Sequence, residues 1–360
     1  MKYIEDKKWE EIKARFNLWW QNGLDDFMFF VTAPRDTFET APERPADPVE
    51  RWTNLDYMDV VNDFTMRHTY YGGDAFPIWT PDNASWSFLA AMVGAGVEFA
   101  MESVWDKAVI EEGPLSDHDY KKFTVSPDNP WWPLTRKMQE HATRVSREVC
   151  VPTLTNYRAS GDVLAALRST NTLLMDMLME PDYVKIFDVH LVEEWIKVND
   201  QLIDIRLAVG QGYAIDWMGV WSDKKMHPVQ NDFSCMISPE MFESVFLDNL
   251  VRQMKSLEHV LYHVDGPGAF QLVDTLLQVD RINVFQIHPG TGNPSAMHYM
   301  ETLKKVQDKG RGLHITLPAN DVKWALETLD HKGLFIRVYA DTVKEAIEIE
   351  ELADTFRKYN

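Results

Sequence analysis

Apolar residues follow two rhythms along this chain. Short unbroken runs such as Phe27 to Thr32 (FMFFVT), Val260 to Tyr262 and Leu334 to Tyr339 have the length and β-prone composition of buried strands. Between such runs, apolar residues recur every three or four positions, the spacing of one helix face. Trp9 to Gln21 shows the helical rhythm first, with Ile12, Phe16 and Trp19–Trp20 on one side and Asn22–Gly23 as the stop. Leu55 to Tyr71 reads as a helix ended by Gly72–Gly73, Asp74 to Thr80 as a strand, and Trp86 to Val93 as a short helix. Val104 to Glu111 alternates and reads as an edge hairpin.

From Trp131 the alternation becomes regular. Helices are expected over 131–149, 163–179, 181–209, 239–257, 269–278, 295–308, 321–329 and 342–358. Strands are expected over 151–157, 214–221, 232–237, 260–264, 282–287, 313–317 and 334–339. Ser238-Pro239-Glu240 is a strong helix start, with serine as cap and proline in the first turn. Strand–helix alternation of this kind makes a parallel sheet with helices outside it. About seven or eight strands fit after residue 74. That number favours an α/β fold of the TIM (β/α)8 barrel type over an open doubly wound sheet. No G-x-G-x-x-G follows the first strand, which argues against a dinucleotide-binding fold. The expected architecture is one domain over 1–360, with residues 1–72 as an N-terminal helical extension packed on the barrel.

Charge narrows the function classes. The 360 residues carry 36 Lys and Arg against 56 Asp and Glu, a formal net charge of -20. Non-specific nucleic-acid binding needs a basic face, as does docking on anionic membranes, and neither fits. Two cysteines, Cys150 and Cys235, exclude a disulfide scaffold and a Cys-rich zinc or iron–sulfur site within the chain. The first twenty residues are charged and lack an apolar h-region, and no apolar run approaches membrane-spanning length. A cytoplasmic protein is the expectation. The 13 Trp and 17 Met serve either a large core or a pocket for a flat ligand.

The stretch His259 to Gly268 (HVLYHVDGPG) concentrates the chemistry. An apolar run meets two polar residues, His263 and Asp265, and breaks at once into Gly266-Pro267-Gly268. At i and i+2 in an extended chain, the imidazole and the carboxylate point the same way. In a barrel, chemistry sits where strands end. Polar residues at the other expected strand ends are Asn156, Arg158, Asp216, Asp232, Gln286, His288, Asn320, Asp321 and Asp341. Several have plainer roles open to them: Asp341 and Asp321 as helix caps, Asp265 and His288 in turns, His263 as a satisfied core histidine. A catalytic divalent metal needs about three protein ligands and an open position. His263 and Asp265 would be two of them, with the third from Asp341, Asp232 or His288. Nitrogen and oxygen donors of this kind suit catalytic zinc. Asp74 and Trp79 at the second strand, and Trp217 and Trp221 in AIDWMGVW, complete the candidate substrate contacts, with Asp216 and His288 beside them.

Five stretches together resemble the uroporphyrinogen decarboxylase-like superfamily. They are GDAFP at 73–77, SGDVLAALRST at 160–170, DFSCMISPEMFESVF at 232–246, YHVDGPGAFQLVDTLL at 262–277 and PGTGNPS at 289–295. The resemblance implies a single TIM barrel, and homodimers are common in the family. True decarboxylases of the group carry an arginine-rich motif near the N-terminus, where this chain has only TAPR at 32–35. Corrinoid-linked methyltransferases form the other branch, and their thiol-activating members hold zinc through His-x-Cys and a distant Cys. Here His263 matches the histidine, Asp265 stands at the first cysteine and Asp341 lies near the second. That replacement points away from thiols and towards an oxygen-bearing substrate. The resemblance thus implies a demethylase that moves a methyl group from a small donor, such as an aryl methyl ether, to a corrinoid (cobalamin) carried by a partner protein. His263, Asp265 and Asp232 would be catalytic. A tetrapyrrole decarboxylase, or a non-catalytic barrel that binds a corrinoid or tetrapyrrole partner, is the alternative.

Overall fold

The computed structural model of the protein describes residues 2–81, 88–110, 112–155, 157–208, 210, 212–215 and 217–357. Strands in chain order are β1 (Met28–Pro34), β2 (Thr69–Gly73), β3 (Ile78–Trp79), β4 (Gly96–Phe99), β5 (Val104–Lys107), β6 (Val151–Pro152) and β7 (Tyr213–Ile215). They continue with β8 (Val220–Ser222), β9 (Met226–Val229), β10 (His259–Asp265), β11 (Val284–His288), β12 (Gly312–Leu317) and β13 (Leu334–Tyr339). Seven of them form one sheet in the order β2-β1-β13-β12-β11-β10-β9. Every neighbouring pair is parallel except β1 with β2. A second parallel pair, β3 with β6, continues to β7 through a bridge between Thr153 and Ala214. The protein is therefore α/β with a mostly parallel seven-strand sheet, which is as far as the strand pairing reaches towards the expected barrel.

The central strands are apolar on both faces, as a sheet covered by helices requires. Met28 to Val31, Val260, Leu261, Phe285, Ile287, Ile315, Phe335, Ile336 and Val338 are all buried. Helices Met300–Asp308, Val322–Thr328 and Val343–Arg357 alternate with the last strands, close to the expected ranges. No helix among the described residues is long and apolar enough to cross a membrane.

Residues 1–72 are more than an appendage. Within them, β1 lies inside the main sheet, between β13 and β2. The helix Asp6–Trp20 seats its aromatic face on the N-terminal ends of the strands. Trp19 Nε1 donates to the Gly333 carbonyl just before β13, and Trp20 stacks on His259 at the start of β10, ring centroids 4.4 Å apart. Phe16 packs among Phe76, Trp221 and Phe335. Much of the tryptophan content thus serves the core rather than a pocket.

Four expectations need correction. The helix from Leu55 ends at Arg67, because Thr69 to Gly73 pairs with β1 as an antiparallel edge strand. The strand expected over 74–80 shrinks to Ile78–Trp79, since Pro77 has no N–H to give a ladder. The stretch 214–221 is a hairpin of β7 and β8, turned where Gly219 adopts φ +67°; a Cβ there would lie 2.9 Å from the Phe30 ring. Asp232 to Met236 is a 3-10 turn, and the strand lies earlier, at β9.

Asp74 has a structural place. Its side chain is 5% exposed and accepts from Arg15 Nε at 2.7 Å, Arg357 Nη2 at 2.8 Å and the Phe29 amide at 2.8 Å. It ties the first helix, β1 and the last helix together, which corrects its expected role in substrate binding.

Candidate functional site

β10 stays extended to Asp265, so His263 and Asp265 face the same side of the sheet at its C-terminal end. Register carries this face across neighbouring strands. His263 stands beside Gln286 and then His314, and Asp265 stands beside His288. Polar side chains therefore gather at the C-terminal ends of β10 and β11, where parallel sheets place their chemistry. The third group, a second carboxylate, arrives from the turn after β9. Asp232, His263 and Asp265 each bring one donor atom, and these atoms lie within 4.8 Å of one another.

The turn is held from behind by the helix Ser160–Arg168. Asp162 Oδ1 accepts from the Phe233 amide at 2.9 Å. This close approach needs Gly161, because a Cβ there would lie 2.6 Å from Asn231 Oδ1. Asp232 Oδ2 accepts from Gln230 Nε2 at 2.8 Å and has Arg158 Nη1 at 3.9 Å. Asp232 Oδ1 is buried with no hydrogen-bond partner. Burial first, then the neighbouring Asp162 carboxylate, pushes Asp232 up to about 8, with Arg158 opposing the rise. Burial raises Asp162 too, again against Arg158.

His263 is 8% exposed and shares its Nδ1 with Gln286 Oε1 at 2.6 Å. An amide oxygen only accepts, so the proton sits on Nδ1 and Nε2 keeps its lone pair. Burial lowers this imidazole to about 4, leaving it neutral at ordinary pH. Trp217 meets the ring edge-to-face at 4.8 Å. Asp265 accepts from His288 Nδ1 at 2.8 Å, and that bond, ahead of an opposing burial effect, holds its carboxyl below the usual range. A neutral imidazole nitrogen with two carboxylates is a donor set for a hard or borderline divalent cation. Without a cation, the same groups can hold and pass a proton.

A cleft of about 470 Å3 opens beside the cluster, lined in part by Trp105, Arg158, Asp162, Asp232 and Phe233. The structure thus brings together His263, Asp265, Asp232, His288 and Trp217 from the sequence-based set. Asp341 is not among them. It is exposed before the last helix, where its amide donates to Glu345 Oε2, and Asp232 takes the third position expected of it. Trp79 is buried and turned towards His141 of the helix Trp131–Val145, ring centroids 5.7 Å apart, so it packs as core rather than lining a substrate site. Trp221 is likewise fixed in the core against Trp9 and Phe16. Asn156 and Asp216 fall outside the described residues.

Sequence reasoning passed over Asp162. In SGD at 160–162 the aspartate lies in the link before the helix expected from 163 and was not singled out. Comparison with known proteins gives no matching family model, no similar curated protein and no similar solved structure.

Proposed function

We propose that this chain is a methyltransferase of the corrinoid-linked branch of the uroporphyrinogen decarboxylase-like superfamily, taking a methyl group from an ether oxygen. In this reading β3, β6 and β7 complete the parallel sheet into a TIM barrel, and the cluster stands at its mouth. The observation that carries the reading is the convergence of Asp232, His263 and Asp265 within 4.8 Å at the C-terminal end of a parallel sheet.

The residues fit a divalent cation such as zinc. Nε2 of His263 is a free lone pair, and Asp232 Oδ1 is a buried oxygen lacking a partner. His263, Asp265 and Asp232 would hold the ion, which when bound supplies Lewis acidity to the ether oxygen. The methyl acceptor would be the reduced corrinoid of a separate protein. The carbon–oxygen bond breaks with its electron pair left on oxygen, and that oxygen then takes a proton. His288, hydrogen-bonded to Asp265, would give it. Gln286 orients His263, and Trp217 shields its ring from water. Oxygen and nitrogen donors in place of cysteine sulfur favour the ether over a thiol.

The test is to mix the protein with a corrinoid protein, a strong reductant and a panel of aryl methyl ethers, and to follow corrinoid methylation by absorbance. Methylation that His263→Ala abolishes is the expected result. Corrinoid methylation at the same rate in folded His263→Ala and Asp265→Ala, or none at all with any donor, removes the proposal.

A further inference from the structure

Both chain neighbours of Asp232 are gripped by one tripeptide, Ser160-Gly161-Asp162. On one side Asn231 donates from Nδ2 to Ser160 Oγ at 3.4 Å. On the other, the Phe233 amide donates to Asp162 Oδ1 at 2.9 Å. The tripeptide is thus a bracket around the turn that presents Asp232 to His263 and Asp265.

Ser160 is the unusual member of the bracket. It is fully buried, opens the helix Ser160–Arg168, and adopts φ +56°. A residue with a Cβ is strained in that region, and glycine is not. Such strain persists only where the surroundings enforce it, and it collects at functional sites. What serine offers here that glycine lacks is a hydroxyl, which can accept one hydrogen bond and donate another. It accepts from Asn231 and donates to Asp188. Asp188 lies on the helix Pro181–Leu207 with no exposure, and Asn249 Nδ2, on the helix Asp248–Lys255, donates to it at 2.7 Å. A line of buried polar groups therefore runs from two outer helices through Asp188 and Ser160 to Asn231, the residue beside Asp232. Buried hydrogen-bonded lines of this kind fix orientation.

We infer that Ser160 and Asp188 are positioning residues for the cation site: they hold Asn231, and through it the Asp232 carboxylate, where it converges with His263 and Asp265. Neither touches the cation. The inference rests on the reading of that group as a cation site made under the proposed function, and not on methyl transfer.

The test is zinc affinity of the intact protein, by competition with a chromophoric chelator, beside urea unfolding of the same metal-free samples. Wild-type protein should bind zinc, and His263→Ala should abolish the binding. Ser160→Gly removes the strain and the hydroxyl together, so zinc affinity should fall about 10- to 100-fold while the urea midpoint stays near that of wild type. Asp188→Ala should weaken zinc to a similar degree. Asp188→Asn keeps an oxygen for the Ser160 hydroxyl and should restore the affinity. Should Asp188→Ala fail to fold by circular dichroism, Ser160→Gly and Asp188→Asn decide the matter. No zinc binding by wild type, zinc binding that His263→Ala does not weaken, unchanged affinity in folded Ser160→Gly, or affinity that falls only in step with the urea midpoint overturns the inference. The expected pattern of affinities without methyl transfer from any donor supports it and overturns the methyl-transfer reading instead.

Discussion

His263 gives its Nδ1 to the Gln286 oxygen at 2.6 Å, and that bond leaves Nε2 as the nitrogen free for a ligand. Gln286→Leu keeps the volume and removes the bond. Zinc affinity should fall by about 10- to 100-fold, measured by competition with a chromophoric chelator; unchanged affinity would show that Gln286 does not set the ring. Asp188 makes a different point. Burial pushes it up to about 7, against the bond from Asn249 Nδ2 at 2.7 Å. Its folded pKa lies above the unfolded 3.8, so the unfolded chain releases this proton first. The stability it contributes is whole below about 4 and is lost as pH rises towards 7. Asp188→Asn should flatten the dependence of urea midpoint on pH across that window. An identical slope in the variant would assign the dependence to other groups.

At the scale of elements, the contact between the first helix, β1 and the last helix turns on Asp74 and its two arginines. Asp74→Ala leaves both guanidiniums facing a part-buried gap and should cost about 3–5 kcal/mol, read from urea unfolding. A loss under about 1 kcal/mol would mean that solvent replaces the carboxylate there. The elements themselves were largely legible, because long periodic segments and unbroken apolar runs report burial directly. β13 falls at its expected bounds, and β10 and β12 within a residue. The errors share one cause: β2, the β7–β8 hairpin and the turn at Asp232 are set by distant partners and by single backbone groups, which local rhythm does not encode. In the site, His263 and Asp265 were legible because they share a strand. Asp162 was hidden because its role depends on a contact with Phe233, 71 residues away.

For the whole molecule, 20 surplus negative charges repel one another in the compact state. Raising ionic strength from about 0.05 to 0.5 M shortens the screening length to a few ångströms. The thermal midpoint should rise over that range in scanning calorimetry. A fall would mean that specific ion pairs outweigh the general repulsion. Burial also holds His227 and His263 near 4 and His314 near 3. Each contributes stability above about 6.5 that is lost as pH falls towards those values, the reverse of Asp188. Asp162, Asp188 and Asp232 release protons on unfolding over the same range, so the check is NMR titration of the three imidazoles in the folded protein, which should all be neutral at about pH 5.5; a charged ring there would overturn the assignment.

The pairing of β1 with β13 sets a timetable for biosynthesis. The ribosome makes residues 28–34 some three hundred residues before the strand that lies beside them, and Asp74 waits nearly as long for Arg357. Until then the FMFFV segment, and the tryptophan face of the first helix, have no final partner on one side. The nascent chain thus carries unpaired apolar surface over nearly all of its translation, the kind of surface that chaperones cover, and β1 gains its β13 neighbour only after that strand has left the exit tunnel.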